Sequence, residues 1–235
     1  MKKQIDLSPR LRTVADLVPN GARLADIGTD HAYLPAALLL EGKIPSAIAA
    51  DLREGPLSRA KLTAAEYGLT DCISFRLCDG LRGISPEETD AVAIAGMGGE
   101  TIAAILEAAA WTRTRGIPLI LQPMSSMSDL RLWLCEHGYQ IPEERLVREG
   151  DTIYTVLHVL DGEMEELSPA ELCAGKNTRD PLRGEWLDRW IEKTTRALAG
   201  IAHSKQENKT ARMAELEQML TGLQNMKEEW ETWQP

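Results

Sequence analysis

Three aspartates, Asp26, Asp51 and Asp79, end three successive β-prone runs of this 235-residue chain. In an open α/β sheet such strand ends face the ligand crevice. The first acid is followed by a single glycine, in Asp26-Ile27-Gly28-Thr29-Asp30-His31. A dinucleotide-binding turn needs G-x-G-x-x-G, so that backbone amides and a helix N-terminus can reach a pyrophosphate. One glycine with an acid ahead of it suits a ligand that has no phosphate and carries a cationic amino-acid end. Asp26 is placed for an ammonium group, Asp51 for two ribose hydroxyls, and Asp79 for an adenine amine. An isolated strand-end aspartate is often only a turn or helix cap. Three in series fit S-adenosylmethionine better than a nicotinamide dinucleotide. Thr29, Leu52, Cys78 and Gly80 belong to the same predicted cofactor pocket, as do Gly96, Met97 and Gly98 at the end of the fourth strand.

Asp30, His31 and Tyr33 follow the first turn and are the candidate reacting group. Asp30 either supports charge on a substrate ring or contacts the cofactor's methionine end. Tyr33 either stacks on a base or packs at a helix start, and His31 shapes the loop or touches substrate. The fourth strand ends Ala95-Gly96-Met97-Gly98-Gly99 and lacks the Asn/Asp-Pro-Pro-aromatic turn of enzymes acting on exocyclic amines. Its glycines allow a flat substrate to come close.

Alternating short β-rich and helical segments up to residue 161 must position these residues. The pattern predicts a mainly parallel α/β sheet. Strands are expected over 23–28, 46–51, 73–79, 90–97 and 118–123, and helices over 34–40, 56–67, 100–110 and 128–137. Ser8-Pro9 starts an earlier helix to about Val18, with serine as cap and proline in the first turn. Gly150-Asp151 joins β-prone runs at 144–149 and 152–160 into an antiparallel hairpin, as in a class I (Rossmann-like) methyltransferase sheet. Beyond a polar acidic linker at 161–168 the pattern is purely helical. Leu187, Ile191, Thr194, Leu198 and Ile201 form one heptad seam, and Met213, Leu216, Leu220, Leu223, Lys227 and Trp230 a second. These predict an antiparallel coiled-coil hairpin, separated by the polar stretch 203–209, with Trp186, Trp190, Trp230 and Trp233 gathered at its open end. The domains are thus 1–161, a cofactor-binding catalytic unit, and 168–235, a helical arm.

The longest apolar run, residues 34–40, is too short to cross a bilayer, and the first residues do not read as a signal peptide. A cytoplasmic protein without membrane contact is expected. The four cysteines show no metal-ligand spacing with the four histidines and read as reduced, mostly buried thiols, with no metal. A net charge of -10 disfavours polyanion binding overall. Residues 176–212, however, carry nine basic against five acidic side chains, a net of +4. Lys176, Arg179, Arg183, Arg189, Lys193 and Arg196 are the candidate substrate-binding cations of that segment. Lys2, Lys3, Arg10 and Arg12 form a smaller cluster.

Several blocks resemble the bacterial tRNA (adenine-22-N1)-methyltransferases, the TrmK family. They include Leu7-Ser8-Pro9-Arg10-Leu11, Ala25-Asp26-Ile27-Gly28-Thr29-Asp30-His31-Ala32-Tyr33-Leu34-Pro35, and Gly55-Pro56-Leu57. Others are Arg76-Leu77-Cys78-Asp79-Gly80-Leu81, Ile94-Ala95-Gly96-Met97-Gly98-Gly99, Leu121-Gln122-Pro123-Met124 and Leu130-Arg131. The similarity runs from Leu7 to about Val159, with the helical hairpin alike in pattern. Cys78 departs from it, since glycine is commoner there. The resemblance implies a class I fold, S-adenosylmethionine as methyl donor leaving S-adenosylhomocysteine, and a D-loop adenine of tRNA as acceptor. It implies Asp26, Gly28, Asp51, Asp79 and Gly96 as cofactor residues. Arg10, Gln122 and Pro123 join the expected substrate contacts, and the chain is expected to act as a monomer. The alternative is methylation of another RNA site or of a small molecule.

Overall fold

The computed structural model describes residues 4–176, 179–202 and 209–233. Lys2, Lys3 and most of the polar stretch 203–209 lie outside the described residues.

Seven strands form one sheet. They are β1 (Leu24–Ile27), β2 (Ala47–Asp51), β3 (Ile73–Leu77), β4 (Ala91–Gly98), β5 (Leu119–Ser125), β6 (Tyr139–Glu149) and β7 (Thr152–Asp161). Their order is β3-β2-β1-β4-β5-β7-β6. The first five are parallel, whereas β7 runs antiparallel to both β5 and β6. β1 and β2 are buried along their whole length, because parallel strands are covered on both faces.

The helices of the sheet layer are α1 (Pro9–Leu17), α2 (Tyr33–Leu40), α3 (Glu54–Tyr67), α4 (Gly99–Glu107), α5 (Trp111–Thr114) and α6 (Met127–Glu136). Ser8 caps α1 by accepting from the Leu11 amide, with Pro9 in the first turn. α2 is apolar throughout and its residues Leu34–Leu38 are buried, so it behaves as a core helix and not as an amphipathic one. The helix expected over 100–110 is α4, which ends at Glu107, and the short α5 that follows from Trp111 was not expected. β6 starts at Tyr139, earlier than expected, because a register irregularity between Gln140 and Glu143 accommodates Pro142.

The C-terminal part holds α7 (Pro169–Ala174), α8 (Arg183–Ala202) and α9 (Lys209–Trp233). A capping box, Ser168 with Glu171, starts α7; its S-x-x-E pattern is readable in the sequence. Leu187, Leu216 and Leu223 of the two seams are buried, with Thr194 beside them. Trp186, Trp190 and Trp230 pack around this core. Trp233 remains exposed and does not join them. Cys173 is buried, while Cys72, Cys78 and Cys135 are only partly covered, a correction to the expectation of mostly buried thiols.

Two buried arginines meet where the arm joins the sheet, and one of them, Arg131, bridges arm and sheet. Arg131 of α6 is 0% exposed and Arg183 of α8 is 2% exposed. Arg131 makes paired bonds of 3.2 and 2.9 Å to Glu144 of β6. It also donates to the carbonyls of Leu172 (2.8 Å) and Cys173 (3.1 Å). Arg183 donates to the carbonyls of Ala174 and Gly175. Both guanidinium groups thus cap the C-terminus of α7, where unpaired carbonyls and the helix dipole favour cations. No described helix is long and apolar enough to cross a membrane.

Candidate active site and cofactor cavity

Two adjoining cavities open beyond the carboxyl ends of the strands, and Gly28 lines both. The first, about 380 Å³, is lined by Asp51, Leu52, Cys78, Asp79, Gly80 and Met97 among others. The second, about 340 Å³, is lined by Arg10, Asp26, Thr29, Asp30, His31, Tyr33 and Gly96 among others. The chain must pass close between them. Gly28 has φ +76°, which strains any side chain there, and an added Cβ would lie 2.0 Å from Met97 Cε, so the end of that methionine would have to swing aside.

The strand-end acids differ in surroundings. Asp26 is buried, and burial pushes its carboxyl up to about 6, with the charge of Asp51 adding to the shift. A cation beside it would reverse that penalty. Asp51 is also buried; its Oδ1 accepts the Arg53 amide at 2.8 Å. Asp79 is more open and pairs with Arg82 at 3.1 Å. The Thr29 hydroxyl is buried and faces Asp26, where it offsets part of the shift that burial causes, although no hydrogen bond of ordinary geometry forms. Acids at both ends and an apolar wall of Met97 and Ile105 match the donors and the apolar part of S-adenosylmethionine. Burial also raises the Cys78 thiol, whose Sγ lies 3.4 Å from the Gly80 carbonyl oxygen.

In the second cavity the rings of His31 and Tyr33 stack, 5.0 Å apart and 8° from parallel. Ala32 between them has φ +53°, a left-handed conformation uncommon outside glycine. His31 Nε2 lies 3.6 Å from Asp30, and Arg59 Nε donates to Asp30 at 3.1 Å. Gln122 is completely buried. Its Oε1 accepts from Arg10 Nη1 (2.6 Å) and from the Gly96 amide (3.1 Å). One amide oxygen therefore sets both the strand-end glycine and the arginine. Pro123 is buried beside it and lines neither cavity, and neither does Gly98, which precedes α4.

The cations of the arm lie elsewhere. Lys176 faces Glu165 and Glu171, Arg189 faces Glu185 and the Asp151 carbonyl, and Arg196 faces Glu192. Lys193 Nζ sits 4.3 Å from the Trp190 ring centre, and Arg179 lies with Lys176 beside Glu143 and Asp180. Arg183 is corrected: it is buried at the joint, held by carbonyl oxygens, and has no surface to offer a substrate. Sequence reasoning missed Arg53 and Arg82 and the α4 wall of Thr101, Ile105 and Ala108. The helical spacing of the wall residues was an available signal. Among the described residues no group of His, Cys, Asp and Glu is placed to hold a metal ion.

A sheet of five parallel strands closed by a reversed β7, with acids at successive strand ends and no phosphate-binding glycine turn, defines a class I methyltransferase fold. A family model described as "Methyltransferase domain" matches residues 7–157. The tRNA (adenine(22)-N(1))-methyltransferase of Bacillus subtilis is 45% identical over 154 residues, 66% of this chain and 65% of that protein's length. The crystal structure of the B. subtilis M1A22 tRNA methyltransferase TrmK superposes with a TM-score of 0.85 at 34% identity, covering 95% of this chain and 100% of that one. A Streptococcus pneumoniae structure in complex with S-adenosyl-L-methionine gives 0.82 at 33% identity, covering 94% and 100% of the two chains. TrmK of M. capricolum in complex with S-adenosyl-homocysteine gives 0.78 at 28%, covering 95% and 98%. The chain belongs to the TrmK family of methyltransferases.

Proposed function

We propose that this protein transfers a methyl group from S-adenosylmethionine to N1 of adenine 22 in the D-loop of tRNA, acting as a monomer in the cytoplasm. The observation that carries the reading is the pair of cavities meeting at Gly28, with Asp51 and Asp79 in one and Asp26 in the other. That spacing suits the adenosine and methionine ends of the donor. The relatives named above supply the acceptor.

Asp51 accepts from the ribose, Asp79 from the adenine amine, and Asp26 faces the ammonium group. S-adenosylmethionine supplies an electrophilic methyl on its sulfonium. Neutral adenine N1 has an in-plane lone pair, so no residue of this chain has to remove a proton before attack. The protein contributes alignment and electrostatics. Tyr33, stacked on His31, offers a flat wall to the target base. Asp30 accepts from the adenine N6 amine and favours the cationic product ring. Arg10, set by Gln122, contacts the substrate strand at the cavity. In this reading residues 1–161 are the catalytic unit and residues 168–235 the tRNA-binding arm, through Lys176, Arg179, Arg189, Lys193 and Arg196. Exposing a stacked base costs a few kcal/mol, which contacts along the arm offset.

The test is transfer of labelled methyl from S-adenosylmethionine to unmodified tRNA, followed by nucleoside analysis. The expected product is 1-methyladenosine, lost when adenine 22 is replaced. Clear cofactor binding with no transfer to tRNA would overturn the reading. Because Arg131 is buried beneath α7, removing the arm would expose a cation of the catalytic unit. The arm is better tested with Lys193→Gln and Arg196→Gln, which weaken tRNA binding and spare cofactor affinity.

A further inference from the structure

Arginines stand beside three acids at the cavities. Arg53 donates its backbone amide to Asp51 and holds its guanidinium Nε 3.7 Å from the same carboxylate. Arg82 pairs with Asp79 at 3.1 Å, and Arg59 pairs with Asp30. The side chains of Arg53 and Arg82 are 78% and 66% exposed, and both line the larger cavity. These cations belong to the rim at the carboxyl edge of the sheet, close to the acids that the proposed function gives to the cofactor.

Two facts give this rim a share, beside the arm, in holding a polyanion. The chain as a whole is strongly acidic, at -10, and of the six arm cations read from the sequence one is buried while three face carboxylates. The rim arginines face carboxylates too, but these are the acids that the proposed function gives to ligands, and they stand beside an exposed lip that includes Leu52 and Tyr33. Cations for the backbone and an aromatic ring such as Tyr33 for a base are what binds a single-stranded nucleic acid.

The pairing also has a consequence for order. A carboxylate that bonds a ribose hydroxyl or an adenine amine has fewer lone pairs left for its arginine. We propose that Arg53, Arg59 and Arg82 form a phosphodiester-binding rim for the RNA strand around the target nucleotide, and that cofactor loading uncovers it. Asp51 and Asp79 turn from Arg53 and Arg82 to the cofactor, and the released guanidinium groups take phosphate oxygens. The two ligands then bind with positive coupling, and by linkage each raises the other's affinity by the same factor. This inference rests on the proposed function for the identity of both ligands.

The experiment measures tRNA affinity by filter binding against salt, with and without saturating S-adenosylhomocysteine, which has no sulfonium charge. Each phosphate newly neutralised steepens the log–log slope by about 0.7 to 0.9. The expected result is a steepening of about 1.5 with S-adenosylhomocysteine, together with several-fold tighter binding at moderate salt. In R53Q/R82Q, with S-adenosylhomocysteine raised until that variant is itself saturated, both changes vanish. Equal slopes with and without S-adenosylhomocysteine, or a variant that keeps the steepening, would overturn the proposal. Steepening without methyl transfer would count against adenine N1 chemistry and leave the rim standing.

Discussion

The rim of the cavities and the joint of the arm use the same pair of groups, a guanidinium and a carboxylate, for opposite ends. At the rim the Arg82–Asp79 pair is open to water on both sides. At the joint the Arg131–Glu144 pair is sealed, with side-chain exposures of 0% and 9%. Exposed pairs contribute little and exchange partners readily. A sealed pair cannot lose one member without stranding the other in a poor dielectric. Burial, not residue type, therefore decides which arginines can meet a new ligand and which only hold the shape.

The hardest blow to that contrast is Glu144→Gln, which leaves Arg131 buried without its carboxylate and Arg183 with only Asp180 to offset its charge. A loss of about 3 to 5 kcal/mol is expected in a denaturant titration. A change below about 1 kcal/mol would mean that the α7 carbonyls alone satisfy both cations.

Asp26 tests a buried acid without a cation. Its folded carboxyl holds a proton up to about pH 6, whereas the unfolded one releases it near 3.8. Between those values the folded state binds the extra proton, so stability falls as pH rises, by up to about 3 kcal/mol. Asp26→Asn should flatten that slope, and S-adenosylmethionine binding to the unaltered protein should strengthen as pH rises through 6.

Gly175→Ala probes the joint from another side. At φ +76° the added Cβ would meet Glu144 Oε2 at 1.9 Å, and a loss of about 2 kcal/mol in thermal unfolding is expected. The smallest effect belongs to the rim: Arg82→Gln should alter stability by less than about 1 kcal/mol. A larger loss would show that rim and joint are not distinct.

Much of the lining of the two cavities was legible because strand ends and single glycines are local features. Asp26, Gly28, Asp51 and Asp79 were assigned from their neighbours, and all four line the two cavities. The heptad seams were readable for the same reason, through one helical period. What escaped depends on long-range pairing. Arg183 has the composition of a surface cation, and only its meeting with the end of α7 buries it. Gln122 was singled out, but nothing local shows that its oxygen takes donors from Arg10 and Gly96, 112 and 26 residues away. Arg53 and Arg82 sit two and three residues past acids that were noticed, and their importance comes only from the cavity they share. Trp233 carries the same label as Trp230, but Trp230 donates its Nε1–H to the Asp180 carbonyl at 3.1 Å and is held there.

The placement of the tryptophans makes the molecule its own optical probe. The chain has six, and four of them, Trp186, Trp190, Trp230 and Trp233, belong to α8 and α9. None of the six lines either cavity. Intrinsic emission therefore follows the arm and is nearly blind to the donor site. A titration with nucleoside ligand should leave the spectrum almost unchanged, whereas an RNA that bends or covers the hairpin should shift it, so one unlabelled sample separates the two binding events by colour.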